Sequence, residues 1–234
     1  MKRLIKIKSI FLIVLFASLT GCSLNKNGSD NNLSEESKIQ QIDGIRISEK
    51  SHINKEHKNV LIISGSPRKG GNSDLLCDEF AKGAEEVGGN VEKIFLADYN
   101  IKYFEEEDEQ RVGDHSHEAD DDAPALMDKL VDADIVVLSS PAYYLNVTGQ
   151  MKVFIDRTFS HLSKLKDKEF YYIVTSADTS DKSADRTIDG FRGFVMCLPN
   201  SVERGQIKGL GLGRKGAVKD SQYMQEAYEL GKTI

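Results

Sequence analysis

Short apolar runs alternate with segments of helical periodicity through most of this chain, and this alternation limits its possible folds more than any other feature. Residues 59–63 and 135–138 are rich in Val, Ile and Leu and too short for a helix, which is typical of strands buried on both faces. Runs at 91–96, 170–174 and 202–212 complete five predicted strands. Strands of this kind belong to parallel sheets that carry helices on both faces.

Helical segments follow the predicted strands. Apolar residues recur at helical spacing after positions 73, 125, 148, 184 and 224. Gly88 and Gly89 end the first segment, Thr148 has the side chain of an N-cap for the third, and the apolar side of the third extends to Phe159. Because strict alternation requires right-handed crossovers, we predict the α/β class with a flavodoxin-like, doubly wound, parallel five-stranded sheet in the order 2-1-3-4-5.

The N-terminal residues have the layout of an export signal. Four cations precede an uncharged apolar run at 10–17, which is too short to cross a membrane as a helix. The sequence Leu19-Thr20-Gly21-Cys22 follows and resembles the lipobox of bacterial lipoproteins. The resemblance implies cleavage before Cys22, lipidation of its thiol, and a protein anchored to the cell membrane on the extracytoplasmic side. A plain secretory signal with a chance cysteine is the alternative.

Three segments are therefore predicted: residues 1–21 as a signal peptide, 22–57 as a flexible tether and 58–234 as the folded domain. The tether is rich in Asn, Ser, Lys and Glu and has too little apolar surface to fold. Removal of the four signal-peptide cations takes the net charge from −6 to −10. This acidity argues against nucleic acid as a partner and against electrostatic membrane binding, so the predicted membrane contact is the lipid anchor alone.

The loop after the first strand, residues 65–73 (Gly-Ser-Pro-Arg-Lys-Gly-Gly-Asn-Ser), has the composition of a phosphate site. Free N–H groups at a helix N-terminus attract anions, and glycines let the backbone approach them closely. Ser66, Asn72 and Ser73 could add side-chain donors, and Arg68 or Lys69 could offset the charge. A simple turn with Ser73 as N-cap is the alternative. The spacing matches neither a P-loop nor a dinucleotide fingerprint.

The loop after the third strand contains Ser140-Pro141-Ala142-Tyr143-Tyr144-Leu145-Asn146. Its two tyrosines could face a flat aromatic ring, and the N–H groups of residues 142–146 could bind the polar edge of that ring. Surface packing of the tyrosines is the alternative. Ser176 lies in the loop after the fourth strand, which we expect at the same edge of the sheet. Asp156 and Arg157 are predicted to make structural contacts.

Together these segments resemble the NAD(P)H-dependent FMN reductases and iron-sulfur flavoproteins of flavodoxin-like fold. Residues 65–73 fit the pattern Gly-Ser-Pro-Arg-x-x-x-Asn-[Ser/Thr], and residues 140–157 fit Ser-Pro-x-Tyr-x₅-Gly-x₂-Lys-x-Phe-x-Asp-Arg. The resemblance implies FMN as cofactor, NAD(P)H as donor and a homodimer. The predicted cofactor-binding residues are Ser66, Arg68, Asn72, Ser73, Pro141, Ala142, Tyr143, Tyr144, Asn146 and Ser176.

The cysteines depart from the iron-sulfur pattern. Iron-sulfur members carry several cysteines after the second strand, but residues 100–122 contain none, so no cluster is predicted. Cys77 and Cys197 are expected to be buried, with a disulfide between them as the weaker alternative. Residues 105–122 are instead acidic with two histidines, which favours a solvated loop over a metal site. Should the loop overhang the flavin, its charge would lower the flavin's potential.

The leading functional prediction is an FMN-dependent oxidoreductase that passes hydride or electrons to a small acceptor such as a quinone or another flavin. No side chain stands out as an obligatory acid or base, so no catalytic residue and no metal ligand is predicted. Export would separate the domain from cytoplasmic nicotinamide pools, which makes a membrane quinol or a redox protein the alternative donor. The alternative functions are a non-enzymatic, flavodoxin-type electron carrier and a flavin-free binding module.

Overall fold

A computed structural model describes residues 57–105 and 121–234. The described strands form one sheet in the order β2-β1-β3-β4-β5, and every neighbouring pair is parallel. The strands are β1 (Asn59–Ser64), β2 (Asn90–Phe95), β3 (Ile135–Pro141), β4 (Glu169–Thr175) and β5 (Val202–Gly209). This arrangement confirms the predicted fold class and strand order.

Five α-helices in the described part of the chain cover the two faces of the sheet. They are α1 (Asn72–Glu86), α2 (Ala123–Asp132), α3 (Gly149–Arg157), α4 (Asp181–Val195) and α5 (Tyr223–Gly231). Helices α2, α3 and α4 share one apolar core with the sheet, and α1 and α5 share the other. Successive side chains of β1 alternate between these cores, since Leu61 and Ile63 enter the first and Val60 and Ile62 the second.

Two of the predicted buried residues are exposed. Phe159 is 45% exposed because the α-helix ends at Arg157 and a 3₁₀ turn (Thr158–Lys164) follows, which changes the period that the prediction assumed. The Phe159 ring packs edge-on against Phe104, with 5.5 Å between the ring centroids. Cys197 lies beyond the end of α4 and is exposed, whereas Cys77 is buried as expected; both are free thiols.

The two ends of the described domain meet beside one turn, at the edge of the sheet where the strands begin. The ring of His57 lies 2.6 Å from the carbonyl oxygen of Gly88. The side chain of Ile234 packs against Gly89, so a Cβ added there would lie 2.5 Å from its Cδ1. The loops that follow β1, β3, β4 and β5 all lie at the opposite edge, because parallel strands point the same way.

Several predictions concern residues outside the described part of the chain. The signal peptide, Cys22, nearly all of the tether and residues 106–120 with their two histidines belong to this group. The proposed boundaries at residues 21 and 57 therefore stay predictions. Among the described residues, no helix combines the length and the hydropathy that a membrane span requires.

Candidate functional site

A cleft of about 450 Å³ opens at the edge of the sheet where the strands end. Its predicted lining residues are Ser66, Arg68, Asn72, Ser73, Pro141, Ala142, Tyr143 and Tyr144. Its other lining residues, which the sequence analysis missed, are Gly71, Thr175, Ala177, Leu212, Gly213 and Lys215. Asn146 and Ser176 are not among the lining residues. The volume falls in the range of small-molecule and cofactor sites.

The start of α1 presents unpaired backbone donors to this cleft. In the described part of the chain, no protein acceptor pairs with the backbone N–H groups of Asn72, Ser73 and Asp74. The preceding loop is a tight turn in which the Gly71 N–H donates to the carbonyl oxygen of Arg68 at 2.8 Å. Oriented N–H groups and the positive end of a 15-residue helix favour an anion here.

The N-cap of α1 is Gly71, so the alternative that Ser73 caps this helix is wrong. The helix begins at Asn72, which makes Ser73 its second residue, and Ser73 lines the cleft. A Cβ on Gly71 would lie 2.7 Å from the Arg68 carbonyl oxygen and 3.2 Å from Ser66 Oγ. The loop therefore closes only around a residue without a side chain.

Asp74 holds residues 65–73, the anion loop, in place, and sequence reasoning did not identify Asp74. Its carboxylate accepts from the Gly70 N–H at 2.7 Å, from the Ser64 hydroxyl at 3.2 Å and from Lys93 Nζ at 3.0 Å, and it is buried. Burial alone would lower the pKa of Lys93, but hydrogen bonds to Asp78 and Asp74 outweigh it and raise that pKa. The sequence signal was an acidic residue in the first turn of a helix.

The side chain of Asn72 is engaged with the loop that follows β5. Its Nδ2 donates to the carbonyl oxygens of Leu212 at 2.9 Å and Arg214 at 2.8 Å, and its Oδ1 accepts from the Val218 N–H at 3.2 Å. Asn72 therefore offers its backbone N–H to the cleft, whereas its side-chain amide joins the loop after β1 to the loop after β5. The predicted role of its side chain as a phosphate donor does not fit these contacts.

The cations near the anion loop differ in their partners. The sequence predicted that Arg68 or Lys69 offsets the charge of the anion. Lys69 pairs with Asp98 at 2.6 Å and does not line the cleft, so it does not fill this role. Arg68 lines the cleft, and in the described residues its guanidinium pairs with no carboxylate. No described carboxylate therefore competes with a bound anion for Arg68.

A strained turn forms the other wall of the cleft. Tyr143 and Asn146 exchange backbone hydrogen bonds at 2.9 and 3.1 Å, and Tyr144 and Leu145 between them have φ values of 52° and 62°. Such turns usually carry Asn and Gly at these two positions, because other side chains are strained at positive φ. Tyr144 is nevertheless fully exposed at the mouth of the cleft. Strain retained beside a cleft points to a functional role for these side chains.

Only part of the predicted set of ring-binding N–H groups is available. The Ala142 N–H donates to the Thr175 carbonyl oxygen at 2.7 Å, the N–H groups of Tyr143 and Asn146 pair within the turn, and that of Val147 donates to Asn146 Oδ1. Within the described chain, the N–H groups of Tyr144 and Leu145 have no protein acceptor. Of the N–H groups of residues 142–146, which were predicted to bind the polar edge of the ring, these two are therefore the ones left to do so.

Thr148 joins the anion loop to the turn. As predicted, it is the N-cap of α3, and its hydroxyl accepts from the Met151 N–H at 3.3 Å. The same hydroxyl donates to the Gly65 carbonyl oxygen at 2.6 Å, and the Thr148 N–H donates to Ser140 Oγ at 3.0 Å. One buried residue thus fixes the ends of β1 and β3 relative to each other.

Ser176 supports the cleft from behind. Its hydroxyl donates to Ser183 Oγ at 3.0 Å and accepts from the Asp178 N–H at 3.0 Å, and its N–H donates to the Gly209 carbonyl oxygen. These bonds hold the loop after β4, whose residues Thr175 and Ala177 do line the cleft. The expected position of this loop is correct, but the residues facing the cleft are the neighbours of Ser176.

The predicted structural contacts near the end of α3 are present. Asp156 pairs with Lys152 at 2.6 Å, and Arg157 pairs with Asp121 at 2.5 Å while donating to the Lys102 carbonyl oxygen. None of these residues lines the cleft.

The cleft has the features that FMN requires. One end offers unpaired N–H groups and a cation, which suit a phosphate, and the other offers exposed tyrosines and two free N–H groups, which suit a flat ring with a polar edge. The family model described as "NADPH-dependent FMN reductase" matches residues 58–203. The chain belongs to this family. The predicted class, an FMN-dependent NAD(P)H oxidoreductase, is thereby confirmed.

Relatives of this FMN reductase agree with the assignment. An iron-sulfur flavoprotein of Archaeoglobus fulgidus is 34% identical over 182 residues, which are 74% of this chain and 76% of that protein. Among solved structures, an NAD(P)H:quinone oxidoreductase from Methanothermobacter marburgensis has a TM-score of 0.60 at 14% identity, covering 76% of this chain and 96% of the other. A flavone reductase has a TM-score of 0.57 at 20% identity, and the match covers 75% of this chain and 61% of the reductase. The two structures support the fold.

Candidate metal ligands do not cluster in the described part of this FMN reductase, and its buried cysteine has a raised pKa. Within residues 57–105 and 121–234, no group of three or more His, Cys, Asp or Glu side chains could hold a metal ion. The predicted lack of an iron-sulfur cluster rests on the sequence and stays a prediction. Burial raises the pKa of the Cys77 thiol to about 12, so this residue remains protonated and is a poor nucleophile.

Proposed function

We propose that this FMN reductase passes hydride or electrons to a small acceptor, such as a quinone or another flavin, while anchored outside the cytoplasm through a lipid on Cys22. The observation that carries the proposal is the cleft itself. It joins an anion site at the start of α1 to an exposed pair of tyrosines at the turn after β3. The export signal and lipobox at residues 1–22 support the location.

The phosphate end is built by residues that bind and orient. The N–H groups of Asn72, Ser73 and Asp74 would donate to the phosphate of FMN. Ser66 and Ser73 line the same cleft, and the Ser66 hydroxyl accepts from the Arg68 N–H at 3.1 Å. Arg68 would balance part of the negative charge. Asp74, whose charge Lys93 balances, holds the Gly70 N–H and the end of β1 against the start of the helix.

The ring end is built by the turn after β3. Tyr143 and Tyr144 present aromatic surface, and the free N–H groups of Tyr144 and Leu145 would meet the polar edge of the ring. When bound, the flavin supplies the hydride and electron chemistry. No carboxylate or histidine is among the described lining residues, so the described side chains there that can exchange a proton are those of Tyr143, Tyr144 and Lys215.

Fluorescence titration of the purified protein with FMN tests the cofactor assignment. We expect quenching in the wild type and weaker binding in a Ser66→Ala/Ser73→Ala variant, because both residues line the anion end of the cleft. Ser163→Ala is the matched control, since Ser163 is exposed and does not line the cleft. Failure of the wild-type protein to bind FMN would refute the proposal.

Steady-state oxidation of NADH or NADPH by the FMN-loaded protein, with a soluble quinone or free FMN as acceptor, tests the reaction. Turnover with either acceptor supports the proposal. Rapid electron exchange with a redox protein without NAD(P)H turnover would instead favour the electron carrier. Size-exclusion chromatography with light scattering tests the proposed homodimer.

Expression with and without a Cys22→Ser change tests the location. We expect the wild type in the membrane fraction and the variant in the soluble extracytoplasmic fraction, because the variant lacks the thiol that receives the lipid. Equal distribution of the two proteins would contradict the lipid anchor and leave the redox assignment unaffected.

A further inference from the structure

A second cation reaches the anion end of the cleft from the loop after β5. Lys215 lines the same cleft as Arg68 and Ser73. Its Nζ lies 4.0 Å from the position that a Cβ on Gly70 would occupy, so the ammonium group stands directly over the anion loop. In the described part of the chain, Lys215 pairs with no carboxylate, in contrast to Lys69, which is engaged by Asp98.

The position of Lys215 is set by the anion loop itself. Asn72 donates from Nδ2 to the carbonyl oxygens of Leu212 and Arg214 and accepts the Val218 N–H at Oδ1, so its three bonds flank Lys215 on both sides. Gly211 and Gly216 have φ values of 72° and 77°, which lets the chain bend back over the cleft. The first residue of α1 thus fixes a loop that is about 140 residues away in sequence.

The charge of a phosphate monoester explains why two cations would be needed. Such a group carries about −1.5 to −2 at neutral pH, whereas a helix N-terminus supplies roughly +0.5. Arg68 and Lys215 are the lining residues that carry a positive charge, and no described carboxylate lines the cleft. Asp74 lies near the anion loop but is already paired with Lys93.

We propose that Lys215 binds the phosphate of FMN and that Asn72 is the residue that positions it. The inference rests on the proposed function, since it concerns the same cleft. It assigns a role to the glycine-rich loop 209–216, and it replaces direct phosphate contact by the Asn72 side chain with an indirect one. The phosphate would then be held between α1 and the loop after β5, with Arg68 and Lys215 as its two counter-charges.

Comparison of FMN with riboflavin, which lacks the phosphate, tests the role of Lys215. We expect Lys215→Gln to weaken FMN binding about 5- to 20-fold and to leave riboflavin binding unchanged, because the lost contact is to the phosphate alone. Lys215→Arg should retain most of the affinity. Lys219→Gln is the matched control, since Lys219 is exposed in the same segment but does not line the cleft.

A double-mutant cycle tests the role of Asn72. Asn72→Ala should weaken FMN binding but not riboflavin binding, and adding Lys215→Gln should weaken FMN binding little further, because both changes remove the same contact. Wild-type affinity for FMN in Lys215→Gln, or equal losses for FMN and riboflavin, would overturn the inference while the cofactor assignment stands. Failure of the wild type to bind FMN would overturn both.

Discussion

Gly71 offers the sharpest test of how the anion loop is built. In Gly71→Ala the added Cβ would lie 2.7 Å from the Arg68 carbonyl oxygen, and ordinary contacts begin at 3.4 Å, so that carbonyl must withdraw by about 0.7 Å. The displaced atom belongs to the backbone, and a side-chain rotation cannot relieve the overlap. The withdrawal would lengthen the Gly71–Arg68 hydrogen bond and move Arg68 away from the cleft.

The effect should appear in binding more than in folding, because the loop of the free protein can relax away from the new methyl group. Overpacking of this kind costs about 1–3 kcal/mol, which corresponds to an FMN affinity about 5- to 150-fold weaker. Fluorescence titration and thermal unfolding of the FMN-free protein measure the two effects separately. Gly193→Ala is the control, since nothing lies within 4 Å of its added Cβ. FMN affinity within twofold of wild type in Gly71→Ala would refute the reasoning.

Three further predictions concern stability. Leu145→Asn should raise the unfolding free energy by about 1 kcal/mol and the melting temperature by about 2–4 °C, because Asn tolerates the positive φ; Leu145→Ala should not. Gly83→Ala should cost about 3 kcal/mol in urea unfolding, since its Cβ would overlap the Tyr228 carbonyl and separate α1 from α5; a loss below 1 kcal/mol would contradict that packing. Burial raises the Cys77 pKa from 9.0 to about 12, so with rising pH the thiol ionises in the unfolded protein before it ionises in the folded one. The contribution of this thiol to the free energy of unfolding is therefore complete below pH 9. It falls by up to about 1.4 kcal/mol per pH unit between pH 9 and pH 12. Urea unfolding between pH 8 and 11 should therefore show a shallower decline in Cys77→Ala, and parallel declines would contradict the assignment.

The fold was accessible from sequence because its strongest signals are local. The unbroken apolar run of β3 and the cap at Thr148 each determine one element, and the alternation of elements leaves few topologies. Errors arose where an element ends. Phe159 and Cys197 continue an apolar pattern just beyond a helix, where the backbone turns differently and exposes the side chain.

The site was accessible in part because two loops carry recognisable composition. Which groups face the cleft depends on hydrogen bonds between distant segments, and sequence spacing does not report them. Asn72 and Ser176 were predicted as ligands since they stand in the correct loops, but the Asn72 side chain bonds to the loop after β5 and the Ser176 side chain bonds to Ser183 in α4. Lys215 was missed although glycines at 209, 211, 213 and 216 surround it, a composition that marks a close-fitting loop after a strand.

The turn at Gly88 and Gly89 has a consequence for protein engineering. Both His57 and Ile234 contact this turn, so the first and last described residues lie at nearly the same place, roughly 20 Å along the strands from the mouth of the cleft. Domains with adjacent termini tolerate circular permutation and insertion into a host protein. Residues 57–234 inserted into a surface loop of another enzyme are therefore expected to keep the cleft open to diffusing reactants.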